Sequence, residues 1–155
     1  MPEEIGQLKN LTRLHLHNNQ LNKLPKNIEL LRNLKILFLG HNKLKNYPEE
    51  IFQLKNLILL DLIFSQLTEL PKEIGQLKNI SRIYVSNNEL REIPKEICYL
   101  KNLKRLDLSY NQLTELPKEI GQLKLLNKFY LVNNQLERLP EEIGLLRKLG
   151  RLELE

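Results

Sequence analysis

Residues 11–34 read LTRLHLHNNQLNKLPKNIELLRNL, and this pattern returns along the chain at an interval of 23 residues. All 7 prolines keep that interval, from Pro2 to Pro140. Apolar positions keep it as well, since Ile5 and Leu8 have an apolar counterpart in every later period. A fixed period of this length predicts a solenoid, in which each repeat forms one coil stacked on the next.

Each period has two halves that differ in apolar spacing. In LTRLHLHNNQL (11–21), apolar residues alternate around Leu14 and Leu16, which predicts a short strand with one buried face. In LPKEIGQLKN (70–79), they recur at spacings of three, and Pro71 suits the first position of a helix. Because Gly75 lowers helix propensity, we expect a short helical or 3₁₀ turn here.

A recurring asparagine marks the point where each predicted strand turns into the interior. The amide of such a residue can bond backbone groups that the turn leaves unpaired. The third period has Ser65 at this position, and a hydroxyl makes only part of that bonding. We therefore expect the third coil to be looser than its neighbours.

The repeated blocks carry a family resemblance. LTRLHLHNNQLNKLPKNIELLRNL and its companions resemble leucine-rich repeats of the 23-residue LPxxIxxLxxL type. Blocks such as LPKEIGQLKNI and LPKEIGQLKLL are most similar to bacterial members, and intracellular Ras-binding scaffolds share the LPxxI pattern. The resemblance implies binding of another macromolecule, commonly on the concave sheet, and supplies no catalytic residues.

The expected fold class is α/β: a right-handed leucine-rich repeat solenoid. A curved parallel sheet forms its concave face, and short helical or 3₁₀ turns form its convex face. We expect residues 1–155 to form a single domain of about seven repeats, with no capping repeat at either end.

The third period, LILLDLIFSQL (57–67), has large apolar residues where other periods have charged, hydroxyl or amide residues. Alternate residues of a strand share a face, so equivalent outward positions form columns across the sheet. Exposed apolar surface with aromatic and arginine residues is typical of protein interfaces. The predicted partner-binding residues are Ile36, Phe38, Leu59, Ile63, Phe64, Tyr84 and Tyr110, with Arg82 and Arg105 at the margin. The alternative is that Phe64 and Ile63 cover the turn at Ser65 as a local core.

Basic residues outnumber acidic ones by 24 to 19, and several of them share one column of the sheet. These are Arg82, Arg105, Lys128 and Arg151. Asp61, Asp107 and Glu153 lie one column away, and we expect ion pairs to neutralise much of the basic column. We therefore expect no nucleic-acid partner, although Tyr84 and Tyr130 are residues of the kind that stack on bases.

The 3 histidines, His15, His17 and His41, all belong to the first two coils. They would bind zinc if His41 or a second molecule completed the ligand shell. Zinc-linked assembly is therefore an alternative function. Our expectation is three surface histidines and no cofactor.

No motif in the sequence indicates catalysis. There is no phosphate-binding glycine loop, no HExxH or CxxC, and no Ser or Cys with a His base nearby. No apolar run is long enough for a membrane helix, and MPEEIGQLKN is not a signal peptide.

We therefore expect a non-enzymatic scaffold that binds a protein partner through its concave sheet without inserting into a membrane. The bacterial resemblance favours a secreted or cell-surface protein with a host or surface partner. A cytoplasmic location stays open, as does self-association through the patch or the terminal coils.

Overall fold

The computed structural model describes residues 1–44 and 49–155, in which strands and 3₁₀ helices alternate. The strands are β1 (Arg13–His15), β2 (Ile36–Phe38), β3 (Leu59–Asp61), β4 (Arg82–Tyr84), β5 (Arg105–Asp107), β6 (Lys128–Tyr130) and β7 (Arg151–Glu153). The 3₁₀ helices are η1 (Glu3–Gln7), η2 (Lys26–Leu30), η3 (Glu49–Gln53), η4 (Lys72–Gln76), η5 (Lys95–Tyr99), η6 (Lys118–Gln122) and η7 (Glu141–Leu145). Each coil is numbered by the strand that it contains. The predicted fold class is confirmed.

The strands form one parallel sheet in chain order, from β1 to β7. Each residue pairs with its counterpart 23 residues later, as Leu14 pairs with Leu37 and Leu37 with Leu60. This register follows from the sequence period, because any other pairing would move buried leucines to the outer face.

The core is a stack of apolar side chains between the sheet and the 3₁₀ helices. Leu37, Leu60, Ile83 and Leu106 from the strand centres are fully buried. Full burial of such a side chain contributes roughly 1.5–3 kcal/mol, so the stack is the main source of stability.

The 3₁₀ helices begin after proline and remain five residues long. Pro71 is extended (φ −74°, ψ 152°), and the 3₁₀ bond from the Ile74 N–H to the Pro71 carbonyl is 3.1 Å long. A Cβ on Gly75 would lie 2.9 Å from the Glu96 carbonyl oxygen, so glycine lets adjacent coils approach closely. The predicted short turns are confirmed. Within residues 1–44 and 49–155, no helix has the length and apolar character needed to cross a membrane.

The recurring asparagines bond backbone carbonyls of the turns, as predicted, and four of them also bond the preceding coil. The Asn88 amide donates to the Leu62 carbonyl of the preceding coil and to the Val85 carbonyl, both at 2.9 Å. Asn42, Asn111 and Asn134 donate to the preceding coil in the same way.

Ser65 makes fewer bonds than these asparagines. Its hydroxyl donates only to the Ile63 carbonyl of its own turn, at 3.3 Å. Gln66 next to it has a φ of 59°, a value that its counterparts in the other described coils do not share. The bonding of the third coil is thus reduced, as predicted, and its turn has a different backbone conformation.

Candidate functional site

The outward side chains of β1–β7 form the surface that we call the sheet face. Because the strands are in register, these residues align in columns across it, as predicted. One column contains Arg13, Ile36, Leu59, Arg82, Arg105, Lys128 and Arg151. The next contains His15, Phe38, Asp61, Tyr84, Asp107, Tyr130 and Glu153.

The predicted partner-binding residues differ in exposure. Phe64 and Tyr110 are 49% and 52% exposed, so Phe64 does not form the local core that was the alternative. Four further residues are half-buried: Ile36, Phe38, Ile63 and Tyr84. Arg82 is exposed, and Arg105 is half-buried.

The expectation that Leu59 is exposed is wrong, since only 7% of it is accessible. Leu59 lies in register between Ile36 and Arg82, and their side chains line the same cavity. Leu59 is thus nearly inaccessible to solvent and belongs to the lining of a depression on the sheet face.

That depression includes a residue that the sequence interpretation did not select. Ile58 is 41% exposed and lines the cavity of about 350 Å³ beside Leu59 and Ile36. The other lining residues are Thr12, Arg13, Lys35 and Arg82. The sequence LILL (57–60) already indicated that Ile58 is unusual, because the equivalent residues of the adjacent coils are Lys35 and Ser81. We call this cavity the Ile58 pocket.

At the other end of the strands, large side chains occupy unusual backbone positions. Phe64 has a φ of 51° and Tyr110 a φ of 55°, whereas the equivalent positions of the other coils hold Asn18, His41, Asn87 and Asn133. Asparagine tolerates this left-handed region better than bulky residues do. Backbone preference therefore does not explain why aromatic residues are present at these two positions.

Phe64 and Tyr110 line one shallow cavity together with residues of the coil between them. The ring of Phe64 stacks on His41, with centroids 4.6 Å apart and an interplanar angle of 26°. Phe64 thus has one face covered and about half of its surface free for another molecule.

The histidines pack on aromatic rings. His15 lies 4.7 Å from the Phe38 ring and His17 lies 6.0 Å from it, centroid to centroid. In the described part of the chain, no group of three His, Cys, Asp or Glu side chains could hold a metal ion. Zinc-linked assembly between molecules stays a prediction.

Asp61 is the acidic residue nearest the apolar part of the sheet face. Its Oδ1 accepts a bond from the Ile63 N–H at 3.0 Å. Burial raises the pKa of its carboxyl above the ordinary value, and the bond from Ile63 opposes that shift. A Cβ on Gly40 would lie 3.1 Å from the same oxygen, so the glycine leaves room for this carboxylate.

The basic column is not neutralised as expected. Among residues 1–44 and 49–155, the ion pair found is between Arg151 and Glu153 of the same strand. Arg105 instead lies between two aromatic rings, with its guanidinium carbon 5.0 Å from the Tyr84 centroid and 4.9 Å from that of Tyr130. The predicted pairing of Arg105 with acidic neighbours is therefore wrong.

Two family models match the chain. One described as leucine rich repeat matches residues 32–90 and 78–136, and another of the same description matches residues 10–31. The chain belongs to the leucine-rich repeat family. Comparison with curated proteins gives no match.

Solved leucine-rich repeat structures are similar over the whole chain. A leucine-rich repeat protein of Leptospira interrogans shares 47% identity with a TM-score of 0.79, covering 100% of this chain and 45% of that one. The ectodomain of the Arabidopsis thaliana receptor kinase GASSHO1/SCHENGEN3, in complex with CASPARIAN STRIP INTEGRITY FACTOR 2, shares 31% identity with a TM-score of 0.86. That match covers 99% of this chain and 19% of the receptor chain.

An internalin of Listeria monocytogenes, InlF, is similar in fold. It has a TM-score of 0.84 at 22% identity, covering 99% of this chain and 44% of that one. The chain thus spans less than half the length of each of these three proteins.

Leucine-rich repeat domains generally bind proteins and are typically non-catalytic modules. In this leucine-rich repeat domain, the coils share their core residues and differ on the sheet face. Phe38 and Phe64 are examples, since the equivalent positions of the first coil hold His15 and Asn18. The sheet face is therefore where one coil is chemically distinct from the next.

Proposed function

We propose that this leucine-rich repeat domain is a non-enzymatic scaffold that binds a protein partner through the sheet face of coils two to five. The observation that carries the proposal is the pair Phe64 and Tyr110. Both are about half exposed, and both occupy left-handed backbone positions that favour asparagine. Neither is needed to fill the core, so contact with another molecule is the simplest reason for their presence.

The surrounding residues have the composition of a binding surface. Half-buried Ile36, Phe38 and Ile63 form an apolar centre, and Arg82 lies at its edge. Aromatic and arginine residues carry much of the energy in protein interfaces, and a partly covered apolar centre excludes water from it. Because the strands are held in register by the core, binding requires little ordering of this surface.

The relatives agree with a role in recognition. The GASSHO1/SCHENGEN3 ectodomain is in complex with CASPARIAN STRIP INTEGRITY FACTOR 2, so a structure of this fold takes part in a specific complex. The similarity to proteins of Leptospira and Listeria favours a bacterial protein with a host or surface partner. We propose that the partner is a protein and not a nucleic acid.

A capture experiment with matched variants tests the proposal. The baits are the parent chain, a Phe64→Asn, Tyr110→Asn variant, and a Leu145→Asn control. Leu145 is 46% exposed but lies on η7, away from the sheet face. Proteins retained by the parent and by Leu145→Asn but lost by the double variant support the proposal. Proteins retained equally by all three baits would place the contact elsewhere.

Self-association is the second candidate, favoured by exposed leucines in the first and seventh coils. Leu8 is 51% exposed and Leu154 is 45% exposed, and such side chains promote association. Sedimentation over a wide concentration range tests it, and a single monomeric species throughout would exclude it.

Zinc-linked assembly is tested by comparing zinc isotherms of the parent and a His15→Ala, His17→Ala variant, and equal isotherms would exclude it.

A further inference from the structure

Arg105 on β5 lies close to two aromatic rings, those of Tyr84 on β4 and Tyr130 on β6. Its guanidinium carbon is 5.0 Å from the centroid of Tyr84 and 4.9 Å from that of Tyr130. Cation–π contacts on two sides restrict the movement of the guanidinium, and its N–H groups stay available as hydrogen-bond donors. The side chain is thus oriented before any ligand arrives.

The hydrogen-bonding capacity of Arg105 is not used within the described residues. Its Nε is buried and has no hydrogen-bond partner there. Asp107, two residues later, uses its Oδ1 to accept a bond from the Ser109 N–H at 3.1 Å. The Nε is itself enclosed, but Arg105 is only half-buried, and the other N–H groups of its guanidinium are donors for an acceptor from outside the coil stack.

Arg151 provides the internal comparison. It also lies over Tyr130, at 5.5 Å from the ring centroid, but Glu153 of the same chain accepts its hydrogen bond. The two arginines have similar aromatic surroundings and differ in whether a carboxylate is already present. Arg151 has a carboxylate bound to its guanidinium within the chain, and Arg105 has none among the described residues.

The charges beside Arg105 favour an acidic ligand. Arg82 and Lys128 are its partners in register on the adjacent strands, and both are exposed. Across β4–β6, these three cations face one carboxylate on the sheet face, that of Asp107. Like charges on adjacent strands repel one another, and an anion bound between them would relieve that repulsion.

Nucleic acid fits this arrangement less well. Tyr130 has Arg105 and Arg151 over its ring and is only 8% exposed, so it offers no free face for a base. Binding of single-stranded nucleic acid depends on such free aromatic faces. A carboxylate, in contrast, is planar and pairs with the edge of a stacked guanidinium through two parallel bonds.

The Ile58 pocket lies on the same side of the face, two strands from Arg105. Its apolar residues are Ile36, Ile58 and Leu59, and its charged lining residues are all basic. Two strand spacings are about 10 Å, which lies between the roughly 7 Å and 13 Å spanned by two and four residues of extended chain, and side chains two or four positions apart share a face. A segment that crosses the strands can therefore reach both places.

We propose that the partner presents an extended acidic segment to this domain. An aliphatic side chain of that segment fills the Ile58 pocket, and a carboxylate two or four residues away, on the same face of the segment, binds the guanidinium of Arg105. This inference rests on the proposed scaffold function and specifies the chemistry of its partner. Arg82 and Lys128 attract the segment, and Arg105 sets its register.

The test uses labelled synthetic peptides with blocked ends and the full 155-residue chain. Each peptide has one Leu and, either two or four positions later, Glu, Gln or phosphoserine in a background of Ser and Gly. An oligothymidylate of similar length is the nucleic-acid probe. Fluorescence anisotropy measures the affinity of the parent chain and of the Arg105→Gln, Arg105→Lys and Arg151→Gln variants.

The parent and Arg151→Gln are expected to prefer the Glu peptide over the Gln peptide by about tenfold or more. Arg105→Gln is expected to reduce that preference to about twofold or less, with an unchanged thermal unfolding midpoint. Arg105→Lys keeps the charge but lacks the planar fork, so its preference should fall between the two. Full preference in Arg105→Lys would contradict the stacked, edge-on geometry.

Several results would overturn the inference. The parent could bind the Glu and Gln peptides equally, or could fail to bind the Glu peptide at concentrations up to about 1 mM. It could also bind the phosphoserine peptide or the oligothymidylate more tightly than the Glu peptide. An equal loss in Arg151→Gln and Arg105→Gln would show a general charge effect. The proposed function is tested separately. If capture of a partner depends on Phe64 and Tyr110 but not on Arg105, the scaffold function stands and the acidic-segment inference fails.

Discussion

Replacing Asn88 with Ala should cause one of the largest losses of stability among polar substitutions in this domain. Its Oδ1 accepts bonds from the N–H groups of Ser65 and Leu67, both at 3.0 Å. Its amide donates to the carbonyls of Leu62 and Val85 at 2.9 Å. The amide also donates to the Ser86 carbonyl at 3.2 Å, so one buried side chain bonds five backbone groups and holds the turn that carries Phe64.

The expected magnitude follows from the groups left without partners. A buried donor that loses its acceptor costs about 1–3 kcal/mol, and Asn88→Ala leaves two such N–H groups. Allowing for some access of water, we expect a loss of about 3–5 kcal/mol in the free energy of unfolding. That is a large part of the 5–15 kcal/mol typical of a domain. Asn19→Ala is the matched control, because Asn19 is exposed and bonds only within its own turn.

Urea unfolding followed by circular dichroism measures both variants. Asn88→Ala should lower the midpoint strongly at a nearly unchanged slope, and Asn19→Ala should cost about 1 kcal/mol or less. Amide exchange should show faster opening around residues 62–67 in Asn88→Ala. Similar losses in the two variants would contradict the view that buried asparagines hold the coils together.

Three further substitutions and one chemical modification test other parts of the structure. Burial raises the pKa of the Asp61 carboxyl above its ordinary value of 3.8, so the native state binds a proton there more tightly than the unfolded state does. The free energy of unfolding therefore falls as pH rises from 3.8 to the raised pKa. Urea titrations should therefore show Asp61→Asn gaining stability relative to the parent across that interval, and a constant difference from pH 3 to 7 would contradict this. Burial raises the pKa of Cys98 to about 12. The native thiol should therefore react with a disulfide reagent at pH 8 only as fast as the coil opens. Rapid labelling without urea would contradict the burial of Cys98. Gly75→Ala should destabilise the domain by about 1–3 kcal/mol because the new Cβ would lie 2.9 Å from Glu96 backbone. A Cβ on Gly144 would have no atom within 4 Å, so Gly144→Ala should stabilise the domain by about 0.5 kcal/mol. Thermal unfolding measures both glycine variants, and equal effects would refute the close-packing argument.

The fold could be predicted from the sequence because one period controls every level of it. A spacing of 23 residues places Leu14, Leu37 and Leu60 in register, and their burial then fixes which side chains face outward. The turn asparagines follow from the same period. The short 3₁₀ helices follow from proline at the start and glycine in the middle of the helical half.

The candidate site was only partly predictable, because its details depend on how neighbouring side chains pack. Leu59 is in register with Ile36 and Arg82 and yet only 7% exposed, and spacing alone does not show that burial. Ile58 precedes the strand and so did not belong to the columns that the alternation rule selects. Arg105 was expected to pair with a carboxylate, yet the aromatic rings on both sides hold it instead.

The most direct test of the sheet face as a binding site is the affinity of one purified partner for three forms of the chain. Isothermal titration with the parent, Phe64→Asn with Tyr110→Asn, and Leu145→Asn compares equally exposed apolar residues on two sides of the coils. We expect the double variant to bind at least about tenfold more weakly and the Leu145 variant to bind within about twofold of the parent. Unchanged affinity in the folded double variant would contradict the assignment of this surface.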